Sequence, residues 1–306
     1  MVFSAATTST QRIMLVVAVA LLPGIATQVY FSGLGVLWNL AWLSLFCYAT
    51  EIGIQLLRKT PTQLETSTLV TALLIGICLP PSLSLDILAI ASLAAVGLAK
   101  HAYGGLGNNV FNPAMVGYAV VLVSFPEALS HWPSVSATNE VDSYTGATIL
   151  SQFRYREGMT AAEFMVGFEA AWEMGMYTGI AFLLGGAGLV FIKVIHWRLP
   201  VAASIGLALG AIVGYDQGSS ESAGGLLFHL FSGGFIAAAF FVLTDPITHP
   251  RGARMQWLFG IGIGLLIYVL RAGSAYPDGI AFAVLLGNAC VPLANRYYVK
   301  SLVAKS

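Results

Sequence analysis

IMLVVAVALLPGIATQVYF, residues Ile13 to Phe31, runs without a single charged side chain. As an α-helix rising about 1.5 Å per residue, it reaches about 30 Å, the thickness of a bilayer's hydrocarbon core. Pro23 and Gly24 in its middle would weaken a water-exposed helix, but membrane helices tolerate both. The stretch therefore reads as a membrane span.

The same pattern recurs along the chain. Of its 306 residues, 57% are hydrophobic and 9% charged, and the mean hydropathy is +0.80. A soluble domain cannot bury that much apolar surface and keep a charged exterior. About ten candidate spans emerge, nine if interrupted segments merge. They cover 13–31, 34–57, 66–80, 84–100, 110–126, 174–195, 200–215, 227–244, 255–271 and 279–295. The expected fold class is an all-α polytopic membrane protein, 1–306 forming one membrane domain. A β-barrel would show short segments of alternating polarity instead. The polar start, MVFSAATTSTQR, lacks a clean small-residue cleavage pattern, so an uncleaved first span is expected.

Zero net charge argues against nucleic acid as a partner. Cys47, Cys78 and Cys290 lie far apart in apolar segments without CxxC spacing, as buried inert thiols do. The five histidines show no metal-ligand spacing on one helix.

Charge sets an orientation. With the N-terminus in the cytoplasm and ten crossings, only Arg154, Arg156 and Arg271 of the 14 basic residues fall outside. The positive-inside rule then puts both termini in the cytoplasm and loop 127–173 on the outer, periplasmic side.

The halves 13–126 and 174–295 share a weak pattern. An apolar run ends in LPP (Leu79 to Pro81), followed by Lys100, Gly107 and Phe111. In the second half a run ends in TDP (Thr244 to Pro246), followed by Arg271, Gly279 and Phe282. An odd number of spans per half would make these repeats inverted, and inverted repeats with broken helices build midplane sites in transporters. Plain richness of membrane helices in Gly and Pro accounts for the same residues.

Three segments carry candidate chemistry. GGLGNNVFNPAM, Gly104 to Met115, fails the dinucleotide pattern because Val110 stands at its last glycine position, and it lacks the Gly-Lys-Ser/Thr of a P-loop. Its glycines suit a tight re-entrant turn, with Asn108, Asn109 and Asn112 satisfying freed backbone groups. Glu51, inside the second span, and Asp245, at the end of the eighth, are candidates for an ion path. Asp245 is equally placed to cap a broken helix end or to pair with Arg251. VDSYTGATIL, 141–150, lies in the longest polar stretch, where Gly146 and Ala147 leave the approach to Thr148 open to a bulky substituent. On the residues alone, a solvated Ser/Thr-rich loop remains the simpler reading.

Asp142-Ser-Tyr-Thr145-Gly146-Ala147-Thr148 resembles the D-x-x-[ST]-G-A-T flavinylation motif. That motif marks the D-type membrane protein of the Rnf electron-transport complex and its B-type counterpart in the sodium-pumping NADH:quinone reductase. GGLGNNVFNPAMVGY, TDPIT and PDGIAFAVLLGNACVPL resemble further signatures of the same family, in the same order. The loop between Pro126 and Asp142 is shorter than in some members. The resemblance implies FMN joined through its phosphate to Thr148, with Asp142, Thr145, Gly146 and Ala147 supporting the attachment. It implies a flavin transferase acting on the outer side, a urea-channel-like inverted-repeat fold and, in some relatives, a noncovalent riboflavin. It also implies electron transfer between ferredoxin and NAD coupled to Na⁺ or H⁺ movement in a bacterial inner membrane. Other Rnf subunits, an outer-side flavin subunit and Fe–S subunits among them, would be partners. Without the longer N-terminal extension of the quinone-reductase protein, the chain is expected on the Rnf branch. The quinone-reductase protein and a flavin-free channel or transporter of the same fold are the alternatives.

Overall fold

The computed structural model describes residues 2–132, 148–274, 276 and 278–303. The described residues are helical and turn segments, and the chain is a multi-pass helical membrane protein. The first half holds α1 (Val2–Ser32), α2 (Gly35–Leu57), α3 (Thr66–Gly76), α4 (Leu85–Ser92) and α5 (Pro113–Ser124). α4 runs on as a π-helix, Leu93–His101. The connecting region holds α6 (Pro126–Ser130), α7 (Ile149–Arg154) and α8 (Ala161–Gly167). The second half holds α9 (Glu169–Phe191), α10 (Arg198–Gly214), α11 (Leu226–Phe231), α12 (Phe235–Ala237), α13 (Ala253–Gly273) and α14 (Ile280–Val303). A π-helical turn, Ala238–Val242, continues α12.

Among the described residues, five helices are long and apolar enough to cross a membrane: Thr10–Ser32 within α1, α2, α9, α13, and Ile280–Tyr298 within α14. α3, α5 and α10 are shorter apolar helices. The expected third span, 66–80, stays helical only to Gly76, because Pro80 and Pro81 cannot continue it. The expected eighth span, 227–244, is split at Ser232–Gly234, where Gly233 takes φ +70°. The expected loop 127–173 is partly helical, and α9 begins at Glu169 rather than 174.

The side-chain distribution is that of a protein solvated by lipid. Leu15, Val19, Leu184, Phe191, Val213 and Leu286 face outward, whereas Asn39, Glu51, Gln55, Thr68 and Lys100 are buried. Lipid is as apolar as leucine, so close packing and interior hydrogen bonds hold the helices together. Small residues set the approach. Gly206, Gly260 and Gly264 bring α10 and α13 so close that a Cβ at Gly264 would strike the Ala203 carbonyl. These two helices run parallel, since Ala202 meets Gly260 and Tyr268 meets Gly210. In the first half α2 likewise runs parallel to α4 and its π-extension, from Asn39 beside Leu83 to Glu51 beside Lys100. α1 and α9 are antiparallel: Phe31 stacks on Tyr177, Gly24 faces Phe182 and Gly185 faces Ala20.

Polar side chains tie down the broken segments. Asn39 donates to Pro80 O (2.6 Å) and accepts from Leu83 N (3.1 Å), so one amide serves both sides of the LPP break. Asn288 does the corresponding work at TDPIT, donating to Thr248 O (2.9 Å) and accepting from Asn112 N (3.0 Å). The glycines at 104, 105 and 107 all take positive φ, as a tight re-entrant turn demands. There Asn109 donates to Phe111 O and Asn112 caps α5 through Met115 N, while Asn108 contributes its backbone N–H to Gly105 O.

Candidate functional site

Asp142, Thr145, Gly146 and Ala147 lie outside the described residues. Thr148 is described, and it is the N-cap of α7 rather than a free loop position. Its Oγ accepts from Ser151 N at 3.3 Å and donates to Ser151 Oγ at 3.2 Å. Thr148 is partly exposed and lines a cavity of about 370 Å³. That volume lies within the range of about 300–1,000 Å³ usual for small-molecule sites.

The cavity runs inward from α7 between α1, α9 and the break of the eighth span. Its walls are mostly apolar, with Leu79, Met115, Phe182 and Ile236 among them. Three polar atoms on its lining residues lack a hydrogen-bond partner: Gln28 Oε1, Thr178 Oγ1 and Ser232 Oγ. These three atoms are closed off from water-sized space, so the cavity itself presents a mainly apolar surface, suited to a largely apolar-bodied ligand. A flavin ring is such a body, and Thr148 Oγ is a suitable alcohol for a phosphoester at its mouth.

The segment that carries Thr148 is held from two sides. Leu150, Phe153, Phe164 and Phe228 form a small apolar cluster under α7 and α8. Arg156 is 7% exposed and binds five carbonyl oxygens, those of Phe153, Met159, Ser219, Ser220 and Ser222. It thereby ties the end of α7 to the turn after α10. A capping box at Thr160 and Glu163 starts α8. Hydrogen bonds from the Thr160 N–H and hydroxyl hold the Glu163 carboxyl below the usual carboxylate range. Sequence reading missed the roles of Arg156 and of Arg271, yet both left a signal as exceptions to the positive-inside pattern. Arg271 pairs with Asp278 at 3.1 Å beside the cavity.

Of the other sequence candidates, Glu51 lies far along α2 from Val36 of the cavity wall, and Asp245 follows Val242 of that wall by three residues. Glu51 is 0% exposed and its carboxylate is fully engaged. Oε2 meets Lys100 Nζ at 2.8 Å and Thr68 Oγ1 at 2.6 Å, and Oε1 meets His101 Nε2 at 3.0 Å and Gln55 Nε2 at 3.3 Å. Lys100 also reaches Glu65 at 2.7 Å, which is 27% exposed. Asp245 caps the break after the π-turn, accepting from Ile247 N at 3.2 Å and Thr248 Oγ1 at 3.1 Å. Asn112 Nδ2 lies 3.5 Å from it. Among the described residues Asp245 has no ion pair, and Arg251 is held instead through its backbone N–H to Asn295. The structure thus brings Thr148 to a cavity and gathers Glu51 into an ionic cluster, but does not bring Glu51 and Thr148 together.

Known proteins share this sequence along nearly its whole length. The family model described as the NQR2, RnfD, RnfE family matches residues 1–304. A Pseudomonas aeruginosa protein, named as the D subunit of an ion-translocating oxidoreductase complex, is 38% identical over 94% of this chain and 90% of its own length. Proteins of the same name from Cellvibrio japonicus and Actinobacillus succinogenes are each 38% identical over 94% of this chain, and over 89% and 92% of their own.

Proposed function

Because the chain belongs to the NQR2, RnfD, RnfE family, we propose that it is the D-type membrane subunit of an Rnf-type ion-translocating oxidoreductase complex and carries FMN as a phosphoester on Thr148. The observation that carries this reading is the placement of Thr148 on the wall of a largely apolar cavity of about 370 Å³. Bound there, FMN supplies reversible electron uptake, and the protein supplies position and electrostatics. Thr148 anchors the phosphate, the apolar walls exclude water from the ring, and α7, stapled by Arg156, fixes where the anchor stands.

The family supports the wider assignment. Electrons pass between ferredoxin and NAD through sites on partner subunits, with this chain as one link. A flavin transferase loads Thr148 from the outer side of the bacterial inner membrane, with both termini of this chain in the cytoplasm. A noncovalent riboflavin belongs to some relatives. Coupling to Na⁺ or H⁺ completes the function, and Glu51 and Asp245 are the ion-path candidates. The full burial of Glu51 and the place of Asp245 at a helix break support that assignment.

Thr148→Ala tests the attachment. Co-produced with the transferase, the variant inserts into the membrane but gives no fluorescent band in a denaturing gel. Equal flavin retention would overturn the assignment.

A further inference from the structure

Asp278 is, among the described residues, the only charged side chain on the wall of the cavity beneath Thr148. It does not stand alone. Arg271, 1% exposed at its side chain, donates through Nε to Asp278 Oδ1 and through one terminal nitrogen to Oδ2, both at 3.1 Å. The remaining guanidinium bonds go to the carbonyls of His229 (2.5 Å) and Ser232 (3.1 Å), at the end of α11. Gly234 N also donates to Asp278 Oδ2 at 3.3 Å. Gly233 keeps the pair uncovered: a Cβ there would lie 2.5 Å from Asp278 Oδ2 and 3.1 Å from the guanidinium. Asp278 therefore stands on the cavity wall next to bare backbone, with Arg271 paired to it from behind the wall.

We propose that Arg271 and Asp278 each cancel the bias that the other alone would place on the reduction potential of the flavin ring held in this cavity. The inference rests on the reading of Thr148 as the ring's anchor. Two electrons followed by one proton leave a reduced ring one charge more negative than the oxidised one. In a water-poor, low-dielectric cavity such a charge feels its neighbours with little screening. As a neutral pair, guanidinium and carboxylate nearly cancel. Remove either, and the other biases the ring with its own sign. A buried ion pair is weak evidence of a stabilising role, since apolar replacements often serve as well. Its place at the one charged spot of the described wall favours a role toward the ligand.

The test uses the full chain made with its flavin transferase, as wild type, Asp278→Asn, Arg271→Gln and the double variant. Fluorescence in a denaturing gel is read first. A dark wild-type band would overturn the Thr148 reading and this inference with it. With fluorescent bands, each protein is titrated with dithionite against a reference dye. Asp278→Asn is expected to shift the reduced-to-oxidised ratio at fixed poise at least tenfold toward reduced, about 30 mV for two electrons. Arg271→Gln shifts it at least tenfold the other way. The double variant, with no charge left unpaired, stays within about threefold of wild type, and it keeps the test open if a single variant fails to accumulate. Shifts of one sign in both single variants, shifts below twofold, or a double variant displaced tenfold would overturn the proposal while leaving the anchor intact.

Discussion

Lys100 Nζ lies 2.8 Å from Glu51 Oε2, and the two side chains are 3% and 0% exposed. The pair joins the C-terminal part of α2 to the end of the π-helix that follows α4, at the end of the molecule opposite Thr148. Removing one partner of a buried pair leaves a charge uncompensated, at about 3–5 kcal/mol. Lys100→Met is therefore expected to unfold far more readily on heating in detergent than wild type, and Glu51→Gln/Lys100→Met to recover much of the loss. A Lys100→Met protein with an unchanged midpoint would show that the pair adds nothing to stability.

Asn39 satisfies one backbone acceptor and one donor across the LPP break. Asn39→Leu keeps the volume and loses both bonds. Each stranded group costs about 1–3 kcal/mol. Thermal unfolding should register a clear drop, and an Asn39→Leu protein as stable as wild type would mean that another group closes the break.

α10 and α13 supply a paired comparison. A Cβ at Gly264 would strike the Ala203 carbonyl, whereas one at Gly262 meets nothing within 4 Å. Gly264→Ala should destabilise by about 1–3 kcal/mol, the range for overpacking. Gly262→Ala should be neutral or stabilising by up to about 1 kcal/mol, because alanine is the better helix former. Equal midpoints for the two variants would contradict the described helix contact.

Membrane class and most spans were legible because an uncharged run of bilayer length rarely occurs outside a membrane span. The breaks were half legible. Pro80–Pro81 and Asp245–Pro246 announce them, but the π-helices after Ser92 and Ala237 leave no local pattern. Nor does sequence show that Glu51 meets Lys100 or Arg271 meets Asp278, because helix packing decides both. The helices within 127–173 are too short to show a hydrophobic period. Thr148 and Thr160-Ala-Ala-Glu163 carry capping signals there, and a few residues among polar neighbours do not by themselves separate helix from loop. At the candidate site the motif singles out Thr148 alone, while Gln28, Thr178, Ser232 and Asp278 line the same cavity from four separate places in the chain.

Sidedness is open to direct test. The charge pattern places Ser143 outside, so Ser143→Cys should react with an impermeant thiol reagent added to intact cells. Labelling only after permeabilisation would reverse the topology and rule out loading of Thr148 from the outer face.

The decisive measurement is the mass of the peptide spanning residues 141–150, taken from protein co-produced with its flavin transferase. A peptide heavier by FMN less one water is expected, with fragmentation placing the addition on Thr148. An unmodified peptide from cells in which the transferase flavinylates a known substrate would contradict the attachment, and would favour a flavin-free channel or transporter of the same fold.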